Sequence, residues 1–327
     1  MMTKHLSFAQ RHGLRALATA CTALLIGASA HAQSLEVTTS FSILGDLVSQ
    51  VGGERVKVRT LVGADEDAHA FQPRPSDARN VGGAALVVVN GLGFDDWMVR
   101  LARSGGYKGE VVVASAGIDT LAMTADEHEH EHGHDRGDED EKAKDKANAK
   151  AVDPHAWQDV GNVRRYVANI ADALTKADPA GATAYRANAE RYDDELKALD
   201  TEIRAAFAAL PAERRKVVSS HDAFGYFGRA YGIRFLSPVG VSNNAEPTAQ
   251  GVARLIRQLK AEKVPAVFIE NVADSRLIER IRSESGAQIG GTLHSDALSK
   301  ADGPAPSYVQ MMRANLDALR QALRGAD

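Results

Sequence analysis

Beyond its N-terminal leader this chain has no cysteine. The one cysteine in the sequence, Cys21, lies inside that leader. The rest of the chain therefore has no disulfide and no thiolate metal site, and any metal must be held by imidazole and carboxylate. An excess of basic residues is also missing. The formal net charge is -4, and removing the leader's three basic residues takes it to -7, which argues against nucleic acid as a partner. The letters HExxH occur only inside an alternating His/Glu run, at 128–132 and 130–134, and not on a helical pattern of the kind a zinc hydrolase uses.

The leader itself is readable. Met1 to Arg15 carries Lys4, Arg11 and Arg15 and no acid, Ala16 to Ile26 is a short apolar run, and Ala30-His31-Ala32 fits a small-x-small cleavage pattern. This is the form of a secretory signal peptide, too short for a spanning helix, with cleavage expected after Ala32. The alternative for Cys21 is a lipid-attachment cysteine. The preceding Ala18-Thr19-Ala20 lacks the usual leucine and Arg15 is close, so Cys21 reads as a small apolar residue of the leader's core.

The chain of 327 residues is 44% hydrophobic and 25% charged, a soluble globular composition long enough for two domains of ordinary size. Strand and helix patterns alternate from Leu35: strands at 35–40, 56–61, 86–90 and 111–115, with helices at 43–51, 75–83 and 95–103. The run Leu86–Asn90 is apolar without interruption, as buried parallel strands are. Helical patterns then cover 162–176 and 180–209. In the second, Tyr185, Ala189, Tyr192, Leu196, Leu199, Ile203 and Phe207 recur every three or four residues until Pro211 stops them. Such a helix of 30 residues would run about 45 Å, more than one small domain needs, and suits a rigid connector. The rhythm resumes with strands at 217–220, 233–238, 266–270 and 288–293, and a helix at 307–324 closes the chain. The expectation is an α/β protein of two lobes, each a mostly parallel four-stranded sheet flanked by helices. The expected order is a signal peptide at 1–32, an N-terminal lobe at 33–178, the long helix at 179–210 and a C-terminal lobe at 211–327.

A segment at 116–152 breaks the rhythm. Its run Asp126 to Glu141 reads DEHEHEHGHDRGDEDE, with His128, His130, His132 and His134 alternating among carboxylates. By composition this is a metal signal, since imidazole is a common ligand of zinc, copper and nickel. It is also of low complexity, so fixing those histidines into one shell costs conformational entropy. It reads as an accessory, low-affinity metal-binding loop. Its plain alternative is a solvated insertion with incidental affinity.

Outside that run and the leader only His69, His155, His221 and His294 remain. Each falls just after an expected strand or in a loop flanking one, and ligands of open α/β sheets bind at the carboxyl ends of strands. A lone loop histidine is more often a surface or hydrogen-bonding residue, but several at equivalent ends of two sheets point to a site. Asp296, two residues beyond His294, lies on the same side of an extended backbone.

The order of GADEDAHAFQPRPSD, an acidic His-rich insertion, DPHAW, a long helix, SSHDAFGYF and SDALS resembles the periplasmic metal-binding proteins that feed zinc and manganese ABC importers. The resemblance spans essentially the whole mature chain, and within that family it is strongest to the AztC-type zinc-binding proteins. It implies metal in a cleft between two lobes, held by His69 and His155 of the first lobe and His221 and Asp296 of the second. Manganese-preferring members resemble this pattern less, tending to place glutamate where this chain has His221. Three imidazoles and one carboxylate suit four-coordinate Zn²⁺, with bonds of about 2.0–2.2 Å, whereas Mn²⁺ prefers more oxygen. His294 competes with Asp296 for the fourth place and otherwise reads as a neighbour of the site or a surface residue. Glu270 reads as a partner behind an imidazole or as half of a salt bridge. Asp65, Glu66 and Asp67 either steer a cation toward His69 or form an exposed acidic loop.

The function expected is capture of Zn²⁺ and its delivery to a membrane permease with its ATPase, by a monomer in the periplasm rather than by an enzyme. A periplasmic zinc metallochaperone is a further candidate partner. The alternatives are a secreted zinc-dependent hydrolase and a manganese-binding or adhesin-type member of the same family.

Overall fold

A computed structural model describes residues 34–123, 152–242 and 247–324. The leader and the four histidines His128, His130, His132 and His134 lie outside the described residues. Among the described residues no helix is long and apolar enough to cross a membrane.

The βα rhythm folds into two sheets of four parallel strands. The first contains β1 (Leu35–Phe41), β2 (Val56–Val62), β3 (Leu86–Val89) and β4 (Val111–Val113) in the order β2-β1-β3-β4. Its helices are α1 (Ser42–Gly52), α2 (Pro75–Gly82) and α3 (Asp96–Ser104). Central β3 is buried at every residue, as its unbroken LVVV requires, while edge strand β2 alternates between half-buried and exposed positions. Two helices come next, α4 (Val160–Ala177) and α5 (Ala182–Ala208). The second sheet contains β5 (Lys216–Val218), β6 (Arg234–Leu236), β7 (Ala266–Glu270) and β8 (Gln288–Leu293) in the order β6-β5-β7-β8. With it go α6 (Gly225–Tyr231), α7 (Ala249–Glu262), α8 (Ser275–Ser285) and α9 (Tyr308–Arg324).

Both sheets thus share one topology, in which the second strand sits on one side of the first and the third on the other. The chain diverges at that point, and the parallel-sheet rule puts a ligand crevice outside the carboxyl ends there.

The long helix is 27 residues, or about 40 Å at the α-helical rise. It begins at Ala182 rather than Ala180 because Pro179–Gly181 forms a separate 3₁₀ turn, where Gly181 N–H donates to Asp178 O. Tyr185, Tyr192, Leu196, Leu199, Ile203 and Phe207 are buried on its apolar stripe, and Ala189 packs at the margin. Those side chains belong to one continuous apolar cluster that also contains Val37 and Leu44 of the first half and Val217, Phe227 and Leu293 of the second. The helix is tied to both halves by polar contacts as well. Asn188 Nδ2 donates to Val51 O in α1, and Tyr231 OH in α6 donates to Asp200.

The strands that lead to the histidines stop earlier than their apolar runs suggest. Strand β5 ends at Val218: Ser219 N–H donates to Leu236 O, and Ser220 N–H leaves the ladder for the carboxylate of Glu270. Strand β4 ends at Val113, and Ser115 Oγ donates to Asn90 O beyond β3.

Candidate metal centre

Four side chains converge at the carboxyl ends of the two sheets. His69, His155, His221 and Asp296 each present a ligand atom, and these atoms all lie within 4.8 Å of one another. His69 Nε2 is 3.3 Å from His155 Nε2. The Asp296 carboxylate reaches all three rings: Oδ2 is 3.2 Å from His221 Nε2 and 3.5 Å from His69 Nε2, and Oδ1 is 3.6 Å from His155 Nε2. Tetrahedral zinc with bonds of about 2.0–2.1 Å separates its ligand atoms by roughly 3.3–3.4 Å. The four spacings just given, 3.2–3.6 Å, bracket that edge length.

His155 comes from Asp153-Pro154-His155. Asp153 Oδ1 accepts both the backbone N–H of His155, at 2.9 Å, and its ring Nδ1–H, at 2.8 Å. One carboxylate oxygen thereby fixes the loop and the ring together, and it leaves Nε2 turned to the cluster. Asn90 Nδ2, just beyond β3, donates to the carbonyl of Pro154. Asn90 is itself held by Asp95, whose carboxylate accepts from Asn90 N–H, Gly91 N–H and Ser40 Oγ. Burial pushes the Asp95 carboxyl up to about 6 against those hydrogen bonds. The turn they stabilise needs glycine: Gly91 has φ of 84°, and a Cβ there would meet Val113 at 2.6 Å. It ends in Phe94, whose ring stands edge-on to His69 with centroids 4.7 Å apart.

His221 lies just past β5, across the equivalent switch point of the second sheet. Glu270, the last residue of β7, accepts from the backbone N–H groups of Ser220 and His221 through Oε1, while Oε2 lies 2.6 Å from His221 Nδ1. This is the same device as at His155, a carboxylate behind the ring, and it again leaves Nε2 facing Asp296. Glu270 thus stands behind the imidazole of His221.

Asp296 is fully buried, and neither of its oxygens has a hydrogen-bond partner among the described residues. Burial would raise its carboxyl, but His221 and His155 beside it hold it well below the usual carboxylate range. Burial likewise opposes the charge on His221, and Glu270 and Asp296 together outweigh it and hold His221 well above the ordinary imidazole range. A buried anion in want of positive charge, ringed by three imidazoles, has the electrostatics that a cation would satisfy.

The segment bearing Asp296 is clamped from the first half. Trp157 Nε1 and Gln158 Nε2 both donate to Ser295 O, at 2.8 and 2.7 Å. Two donors a few residues past His155 thus grip the carbonyl just before Asp296, fixing one ligand relative to another. Sequence reading missed Asp153 as an anchor, although it opens the DPHAW stretch that was singled out, and Gln158 as a clamp, which directly follows that stretch.

His294 is buried rather than at the surface, and its ring is not part of the four-residue group. Its backbone is pinned by Asn315, which accepts from His294 N–H and donates to its carbonyl. Burial lowers its pKa, with nearby Asp65 opposing.

The chain matches a family of periplasmic components A of zinc-uptake complexes over residues 37–322. It belongs to that family. It is 33% identical over 307 residues to the manganese-binding lipoprotein MntA of Halalkalibacterium halodurans, covering 94% of each chain. It is 29% identical to the iron-binding protein YfeA of Yersinia pestis, over 88% of this chain and 86% of that one. Among solved structures, the periplasmic zinc binding protein TroA from Treponema pallidum superposes with a TM-score of 0.75 at 29% identity, covering 89% of this chain and 99% of that one. The family and the fold are therefore established, while the relatives' names divide among manganese, iron and zinc.

The carboxylates behind the rings yield a test. Asp153→Asn and Glu270→Gln should each weaken zinc binding about 10- to 100-fold without changing the number of ions bound. Competition titration against a chelator of known affinity measures both quantities. Unchanged affinity in both variants would show that these carboxylates do not act through the imidazoles.

Proposed function

We propose that this chain captures Zn²⁺ between its two lobes and delivers it to an ABC importer's membrane permease, with its ATPase. His69, His155, His221 and Asp296 are the proposed ligands. One observation carries this reading: three imidazoles and one buried carboxylate bring their ligand atoms within 4.8 Å of one another, with contacts of 3.2–3.6 Å from the carboxylate to each ring and between His69 and His155, close to the edge of a zinc tetrahedron. The ion is cargo, so the site must bind tightly and still let go.

Zinc and manganese are separated by the donor set. Names such as MntA favour manganese, which prefers a shell richer in oxygen. Here three of four donors are nitrogen, which favours zinc. Four protein donors also suit a closed binding site better than a hydrolytic one, which keeps a position for water.

The test is titration of the mature protein with Zn²⁺ and with Mn²⁺. One tight zinc ion per chain is expected, with manganese weaker. Replacing His69, His155 and His221 by alanine together should abolish it. Zinc affinity should fall as pH drops, and the fall should begin above about 6.5, because Glu270 and Asp296 hold His221 above the ordinary imidazole range and protons compete for it first. Stoichiometry unchanged in the triple variant sinks the reading, and preference for manganese reverses the choice of metal.

The loop with His128, His130, His132 and His134 is proposed to collect zinc weakly and pass it to the cleft, or to accept it from a metallochaperone. Deleting Glu127–Asp135 should leave one tight site and slow its loading when zinc is scarce. Loss of the tight site would make the loop the principal ligand source.

The leader supports export to the periplasm, where the chain is proposed to act as a monomer. Cleavage after Ala32 gives a protein beginning at Gln33. Lipid attachment at Cys21, which the lipoprotein name of MntA brings into view, gives a heavier one. The intact mass of the exported protein separates the two.

A further inference from the structure

The four proposed ligands are not equally enclosed. The side chains of His155, His221 and Asp296 are fully buried, and that of His69 is 9% exposed. An ion bound among them has its shortest way out past His69. That residue is carried on the segment 63–74 after β2, in which no helix or strand forms. His155 and Asp296, by contrast, are clamped to each other through Trp157, Gln158 and Ser295 O. Release therefore depends on what fastens the His69 segment to the second half of the molecule.

The fastening is visible at Asp65. Its backbone N–H donates to Leu298 O at 2.9 Å, and its Oδ1 accepts from Asn271 Nδ2 at 3.1 Å. Asn271 also donates from Nδ2 to Ala297 O, and its backbone N–H donates to Leu293 O. Leu298 N–H in turn donates to Ser42 Oγ at the start of α1. Asn271 thus joins the His69 segment to the stretch just after Asp296, and it directly follows Glu270, the carboxylate behind His221. Asp65 holds φ of 55°, a left-handed conformation that aspartate, asparagine and glycine tolerate best, and one that persists where surrounding contacts define it.

We propose that Asn271 is a positioning residue that latches the His69 segment across the cleft through Asp65 and thereby sets how long the metal stays bound. The inference rests on the metal-capture reading above. It assigns Asp65 a contact, where its charge alone suggested cation steering. The two roles differ in kinetics: a latch governs dissociation, whereas steering governs association and depends on charge.

The experiment is stopped-flow release of Zn²⁺ from the loaded mature protein into excess chromogenic chelator, with association measured separately. Asn271→Ala removes the donor, and Asp65→Gly removes the acceptor while accepting the same backbone. Each should speed dissociation about fivefold, the scale of one net hydrogen bond, with association within twofold of the parent and one ion still bound. The double variant should be no faster than either single one. Asp65→Asn keeps an acceptor oxygen and the left-handed preference while losing the charge, and should release zinc as the parent does. If Asn271→Ala folds poorly, the Asp65→Gly and Asp65→Asn pair decides alone. Dissociation within twofold of the parent in Asn271→Ala and Asp65→Gly overturns the latch. So does equal acceleration in Asp65→Gly and Asp65→Asn, which assigns the effect to charge. A parent protein that takes up no stoichiometric zinc instead overturns the functional reading on which the latch rests.

Discussion

The structure turns on a carboxylate that has been taken out of water without being given hydrogens to accept. Asp296 is fully buried and its oxygens face three imidazole nitrogens. Burying an ionised group costs several kcal/mol unless countercharge is supplied. Protons on the rings can supply it in part, and a divalent ion supplies it completely. Metal binding and proton release are therefore two sides of one equilibrium at this site. The same burial excludes other roles: Asp296 has no exposed face from which to hold a surface salt bridge.

That convergence needs two sheets. A single parallel sheet offers one crevice at its switch point, and side chains from one edge approach from one direction. Here His155 and His69 approach from the first sheet, and His221 and Asp296 from the second. The carboxylates of Asp153 and Glu270 stand behind the two most enclosed rings. Each also accepts backbone N–H from the loop that carries its ring, so ring orientation and loop shape are set by one group. The long helix α5 contributes at a distance: its apolar stripe enters a core shared by both halves, so the sheets cannot drift apart without opening it.

Much of this could be read from residue patterns, because those patterns record local physics. The apolar runs of β3 and β7 mark buried strands, and the stripe from Tyr185 to Phe207 marks the long helix. The candidate ligands stand out because the described residues hold no cysteine and only four histidines, and so have few ways to bind a metal. What stayed hidden is pairwise and distant. Asp65 and Asn271 are separated by 206 residues, and Gln158 and Ser295 by 137. No periodicity joins them, and an asparagine or glutamine in a loop has many ordinary uses. Strand ends were overrun for a related reason. Ser219 and Ser220 continue the extended pattern of β5, and Ser219 N–H still meets Leu236 O of β6, yet the N–H of Ser220 is claimed by Glu270, a partner that only the fold brings near.

The relatives' divided names sharpen the question of selectivity. A shared fold and a shared cleft do not select a metal, because the donor atoms at four positions can change while the frame stays. At the proposed site the decisive position is His221. An oxygen donor there would give two nitrogens and two carboxylates, a harder shell suited to manganese. Imidazole gives three nitrogens and one carboxylate, nearer the preference of zinc. Glu270 reinforces the difference. Placed behind His221 it adds negative charge to an imidazole and strengthens it as a donor. Behind a carboxylate at the same position it would repel, and one of the two acids would have to take up a proton. The residue behind the ring thus favours the ring, and selectivity at this cleft is written in two layers of side chains rather than one.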